Sequence, residues 1–220
     1  FKFKYFFIPF GIFYLSLSRN LISNMTKAEK TKAYIIERTA PVFNAKGYAG
    51  TSMNDLMEIT GLTKGSIYGN FENKDEVALA AFDYNFALVI DYIKKQMLKR
   101  DNVIERLLVY PETYRNFLKL PFLSAGCPIA NTSTEADDTH PQLKEKAAQA
   151  LQYWRNSVER HLKQGIQNKE IKANININQT VAVITALIQG AILHAKVSGK
   201  INYLNASMNY LEEMILNLKR

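Results

Sequence analysis

From Thr26 onward, apolar residues recur at intervals of three and four and nowhere alternate strictly with polar ones. The spacing predicts an all-α fold without an internal repeat. Thr26 and Glu29 have capping-box spacing, and Ala33, Ile36, Ala40 and Phe43 share one face of a first helix that ends at Gly47. Pro41 inside that helix predicts a local kink, because proline lacks the N–H that the helix ladder needs. Thr51 or Ser52 then caps a short second helix carrying Met53, Leu56, Met57 and Thr60. Gly61 supplies a sharp turn, Leu62 packs into the crook, and Thr63 caps a third helix anchored by Ile67 and Phe71. Asn73 opens a long helix to about Lys99, with Val77, Ala81, Tyr84, Leu88 and Tyr92 as its buried stripe.

The pattern stays helical beyond Arg100. Residues 102–119 read as one helix closed by Pro121, and a turn at Ala125–Pro128 leads to a short helix through Glu135 and Asp138. Leu143, Ala147, Leu151, Trp154, Val158, Leu162 and Ile166 mark a long helix opened by His140-Pro141. A polar loop follows from Gln167 to Asn178. Residues 179–198 are apolar on nearly every side, which requires burial on every side, and Gly199 stops them. Leu204, Met208, Leu211, Ile215 and Leu218 then repeat at four, three, four and three, the spacing of a coiled-coil seam. Both stripes fit either an ordinary core or a four-helix bundle between two copies of the chain. The bundle is the economical solution, with Ile184, Ile188, Ala191, Leu204, Met208, Leu211 and Ile215 expected at the dimer interface.

The third short helix leaves Thr63, Lys64, Ser66, Tyr68 and Asn70 facing outward. Small polar, aromatic and singly cationic residues on one short rod suit a helix that enters the major groove of DNA. The run KAYIIERTAPVFNAKGYAGTSMNDLMEITGLTKGSIYGNFENKDEV resembles the DNA-binding domain of the TetR/AcrR family of bacterial repressors. The resemblance lies in F-x-x-x-G-Y, then T-S-x-x-D-L, T-G-L-T-K-G-S-I-Y and F-x-x-K, about fifty residues without a gap. Met57 and Thr60 stand where that family prefers alanine, and Asn70 where it often has histidine or tyrosine.

The resemblance implies residues 25–72 as a helix-turn-helix domain and residues 73–220 as a larger helical domain for ligand binding and dimerisation. By matching positions, Thr51 and Ser52 are expected at phosphates, and Thr63, Lys64, Ser66 and Tyr68 at base edges or flanking phosphates. Gly65 and Gly69 would allow close backbone approach, Asn70 would bear on a phosphate contact or base preference, and Lys74 would hold the DNA backbone. Phe86, Tyr110, Tyr114, Phe117, Tyr153 and Trp154 are aromatic candidates for a small-molecule pocket, although such stripes are more often core. Cys127 sits between Gly126 and Pro128 at a helix start, which lowers a thiol pKa, with Lys196 in reach to favour thiolate. Some relatives with a Gly-Cys segment here use the cysteine to sense electrophiles; otherwise it is a packing residue.

Charge refines this picture only slightly. The chain carries a formal +8, which suits an anionic partner, but residues 25–74 hold seven Lys/Arg against five Asp/Glu. A single cysteine rules out an internal disulfide framework and suits a reducing cytoplasm. The first 24 residues combine two lysines with an aromatic-rich apolar run from Tyr5 to Leu17, shorter than the ~20 residues of a spanning helix. Met25 reads as a natural start, so residues 1–24 are expected to be a leader outside the native fold. The alternative is an interfacial membrane anchor.

No enzyme is indicated, and no cofactor. His140, His161 and His194 have no ligand-like companions, no Gly-rich phosphate loop or serine elbow appears, and Glu135, Asp137 and Asp138 read as a solvated helix face. The reading reached is a ligand-responsive regulator, most simply a repressor, that binds a near-palindromic double-stranded DNA operator as a homodimer. A small apolar or electrophilic effector would release it. An activator of the same fold, or a helical ligand-binding protein that has lost DNA binding, are the alternatives.

Overall fold

The computed structural model describes residues 25–220, so expectations for residues 1–24 lie outside the described residues. Among the described residues are nine α-helices, one 3-10 turn and a single isolated β-bridge, Ile171 to Lys219, and no sheet. Helix α1 (Lys27–Lys46) starts at the expected capping box, in which Thr26 and Glu29 satisfy each other's backbone N–H. It runs unbroken through Pro41 to Gly47, whose φ of 74° reverses the chain. Helices α2 (Met53–Thr60) and α3 (Lys64–Tyr68) follow, and then α4 (Lys74–Met97), where Asn73 accepts the Glu76 N–H. Next come α5 (Val103–Arg115), a 3-10 turn at Phe117–Lys119, α6 (Pro128–Ala136) and α7 (Pro141–Gln167). Helices α8 (Ile177–Ser198) and α9 (Asn202–Leu216) complete the fold.

Two compact units result, and they do not divide at residue 72. One comprises the described residues up to Asp91 together with Asn131–Lys146, the other Tyr92–Ala130 and Ala147–Arg220. The boundary therefore falls inside α4, α6 and α7. In the first unit, Ile35, Ala40, Leu56, Ile67, Phe71, Val77 and Ala81 form the dry centre. Of the expected α4 stripe, Val77 and Ala81 are buried, but Tyr84, Leu88 and Tyr92 are only half-buried, while Phe82, Phe86, Val89, Ile90 and Ile93 are buried. That helix is covered on more than one side, so a single-stripe template could not locate its contacts.

The second unit corrects the interface expectation. Helix α9 packs against α5 and α8 of the same chain. Ile184, Ile188, Ala191, Leu204, Met208, Leu211 and Ile215 are all 0–3% exposed, so they form this unit's own core and are closed to a second copy. The coiled-coil spacing is real, but its partner is intramolecular. Helix α8 is also long and apolar enough to cross a membrane by length and composition, yet Val181, Ile184, Ile188, Ala191 and Ile192 are core. The expected 102–119 helix breaks after Arg115 into the 3-10 turn, and α6 ends at Ala136, short of Asp138. In the loop after α7, Ile171 is 1% exposed and wedged against Gly165, an apolar anchor within a stretch that otherwise reads as polar.

Candidate nucleic-acid interface

The N-terminus of α2 is organised by a second capping box. Ser52 Oγ accepts the Asp55 N–H, and the Asp55 carboxylate accepts the Ser52 N–H and hydroxyl. Lys46 reaches Asp55 at 2.5 Å, and this contact, with the Ser52 hydrogen bonds, holds the Asp55 carboxyl well below the usual carboxylate range. At the other end, Gly61 adopts left-handed geometry at φ 67°, where a residue with a Cβ is strained. Helix α1 caps the same end: Tyr34 donates to the Thr60 carbonyl and Arg38 to that of Ile59. Thr60, the departure from alanine, is 4% exposed and satisfied, its hydroxyl donating to the Leu56 carbonyl and accepting the Leu62 N–H.

Thr63 caps α3 by accepting the Ser66 N–H, and Ile67, fully buried, ties the helix to the core. Thr63, Lys64, Gly65, Tyr68 and Gly69 are exposed on α3, with Ser66 half-buried beside them and Ser52 exposed at the start of α2. The Lys64 ammonium lies 5.8 Å from the centre of the Tyr68 ring. All seven are polar-tipped residues or glycines and are at least partly accessible, six of them at α3 and its two ends and Ser52 at the start of α2.

Three other expected contacts are placed differently. Thr51 is 0% exposed and its hydroxyl donates to the Gly47 carbonyl, so that side chain serves the turn and is closed to a phosphate. Asn70 is half-buried and its amide donates to the Ser66 carbonyl, closing the end of α3. Lys74 lies over the Tyr48 ring, and its ammonium donates to the carbonyls of Tyr48 and Thr51 at 2.8 and 2.9 Å. It therefore clamps the turn before α2. Sequence reasoning missed the roles of two residues that hold the same turn, Tyr48 within it and Glu135 from α6, the latter expected on a solvated helix face. Tyr48 donates its hydroxyl to Asp75, which with burial pushes the Tyr48 pKa up to about 12, and Glu135 accepts two backbone N–H groups there.

In the second unit, Tyr110, Tyr114, Phe117, Trp154 and Cys127 are all 1–3% exposed, with Tyr110 and Tyr114 6.1 and 5.8 Å from Trp154 between ring centres. Tyr153 is half-buried beneath Lys94, whereas Phe86 belongs to the first unit and stacks on Phe82. The thiol expectation is reversed. Burial pushes the Cys127 pKa up, against the smaller opposing effects of the Ala130 and Ile129 N–H groups, the Tyr114 hydroxyl and Lys196.

A capped three-helix head with a short outward-facing second reader defines a helix-turn-helix protein. Comparison with known proteins agrees along most of the chain. The profile described as "Bacterial regulatory proteins, tetR family" matches residues 35–81, and "Tetracyclin repressor-like, C-terminal domain" matches residues 103–211. A TetR-family regulator from Cytophaga hutchinsonii is 42% identical, with 89% of this chain and 98% of that one covered and a TM-score of 0.85. A TetR regulator from Chloroflexus aurantiacus J-10-FL is 32% identical, with 89% and 99% covered and a TM-score of 0.83. An HTH-type transcriptional regulator in the lacX 3′ region of Lactococcus lactis is 27% identical over 188 residues, 83% of this chain and 91% of that protein. The chain belongs to the TetR family of transcriptional regulators, which are not enzymes.

Proposed function

We propose that the protein is a cytoplasmic repressor that binds a near-palindromic operator as a homodimer and is released by a small apolar effector. The observation that carries this reading is the α3 face, where Thr63, Lys64, Ser66 and Tyr68 flank two glycines on a helix fixed from behind by Ile67. Ser52, exposed at the start of α2, already gives its hydroxyl and N–H to Asp55, so it would meet a phosphate only by opening that capping box. Two such faces related by a two-fold axis would enter successive major grooves roughly 34–36 Å apart.

An apolar effector would have to enter among Tyr110, Tyr114, Phe117 and Trp154, which are 1–3% exposed. Cys127, 1% exposed, gives an electrophilic effector little access to its thiol. About 3 kcal/mol of coupling between effector and operator would weaken DNA affinity more than a hundredfold. The test is a gel shift with the DNA upstream of the protein's own gene, across a salt series. Specific binding is expected to weaken linearly in log–log form. Lys64→Ala should reduce the slope by about one phosphate's worth, and Tyr68→Ala should relax sequence preference. Salt-independent or absent binding would refute the reading.

A further inference from the structure

The turn between α1 and α2 is gripped by a residue from far along the chain. Glu135, the penultimate residue of α6, accepts the Tyr48 N–H at 2.8 Å through Oε2 and the Ala49 N–H at 2.8 Å through Oε1. Gly47 makes the approach possible: a Cβ there would sit 2.3–2.6 Å from the Glu135 carboxylate atoms. Lys74 holds the same turn by its carbonyls, at Tyr48 and Thr51. A carboxylate therefore binds the turn's donors while an ammonium binds its acceptors. Charge-assisted hydrogen bonds of this kind are stronger than neutral ones and directional.

Neighbouring groups fix the end of α6 in place. Asn131 donates to the Asn44 carbonyl and side-chain oxygen, and the His140 ring meets Tyr48 edge-on at 4.5 Å. Three residues beyond Ala49, Ser52 begins α2, and α2 with Gly61 sets the direction of α3. The turn's conformation is therefore upstream of every residue on the reading face. Its donors could be satisfied by water, since Ala49 is exposed, so Glu135 is better suited to fixing a geometry than to keeping the chain folded.

We propose that Glu135 is a positioning residue for operator binding. By holding the Tyr48 and Ala49 N–H groups it sets the entry of α2, and so the aim of α3, without touching DNA. The proposal rests on the DNA-binding reading above.

The test uses the full chain and the variants Glu135→Gln and Glu135→Ala. Hydrogen exchange is read at the Tyr48 and Ala49 amides, and operator affinity across a salt series on a fragment that the parent binds. Exchange at both amides should accelerate, and affinity should fall about tenfold for Ala and less for Gln, which keeps one acceptor. The salt slope should stay that of the parent, because no phosphate contact is lost; a slope that changes overturns the positioning role. Unchanged exchange in Glu135→Ala overturns the grip, and faster exchange with parental affinity overturns its influence on reading. A correct melting transition in Glu135→Gln excludes unfolding as the cause. A parent that retains no duplex is a separate failure, which refutes operator binding itself and this proposal with it.

Discussion

Single residues in this chain are decided by what their polar atoms already do. Thr51 and Lys74 match the family's pattern in sequence and Asn70 departs from it, yet each uses its hydrogen-bonding atoms on a nearby backbone carbonyl. A motif reports residue types and cannot report that a hydroxyl is turned inward. Gly61 is the opposite case, legible at once, because its φ of 67° demands what only glycine supplies cheaply. No neighbour lies within 4 Å of a Cβ built there, so Gly61→Ala should cost backbone strain alone, about 1 kcal/mol. A shift of the urea midpoint with an unchanged slope would measure it. Cys127 yields a kinetic expectation. At 1% exposure and with its pKa raised, it should react with N-ethylmaleimide far more slowly in the native chain than in denaturant. Mass spectrometry over a time course reads this directly, and equal rates would mean the thiol is accessible.

At the scale of elements, caps and turns were legible and packing phase was not. Ser52, Thr63 and Asn73, with Gly47, Gly61 and Gly199, mark helix ends in the sequence because each solves a local backbone problem. The α4 stripe and the end of α5 depend on partners distant in sequence, which no local window contains. The tie between α1 and α4 shows what such a partner contributes. Lys32 reaches Glu76 at 2.8 Å, and Glu76 also accepts the Glu72 N–H, so its pKa lies below the ordinary 4.5. A carboxyl whose folded pKa is depressed contributes stability that is present above its unfolded value and is lost as pH falls through the folded one. Wild type should therefore exceed Glu76→Gln in urea midpoint by a constant margin above about pH 4.5, the difference closing below it. The pair is partly exposed, so the margin should be at most about 1 kcal/mol and smaller in high salt. A margin that persists into strong acid would show that packing, and not charge, is what Gln removes.

For the whole molecule, the burial of the α9 seam relocates the question of how two copies would meet. One face of α8 stays outside the core: Ala182, Ala186, Gly190, Leu193 and Val197 repeat at four, four, three and four residues. Leu193 is 55% and Val197 81% exposed, and beyond them on α9 Tyr203 and Tyr210 are 60% and 61% exposed. An apolar stripe of small and large residues left open along two adjacent, mutually packed helices is the kind of surface a monomer rarely keeps bare. The sequence could not separate this stripe from the core one, because a helix apolar on every side carries two seams with the same period. Substitution separates them. Leu193→Glu with Val197→Glu should leave the helical circular dichroism intact, convert a dimer to a monomer in sedimentation, and abolish high-affinity operator binding, since a charge in an interface core is expensive to desolvate. Met208→Glu, at 0% exposure, should instead unfold the second unit. If the double variant still sediments as a dimer, the copies meet elsewhere. If the Met208 variant folds and only dissociates, the seam assigned to the core belongs to the partner after all.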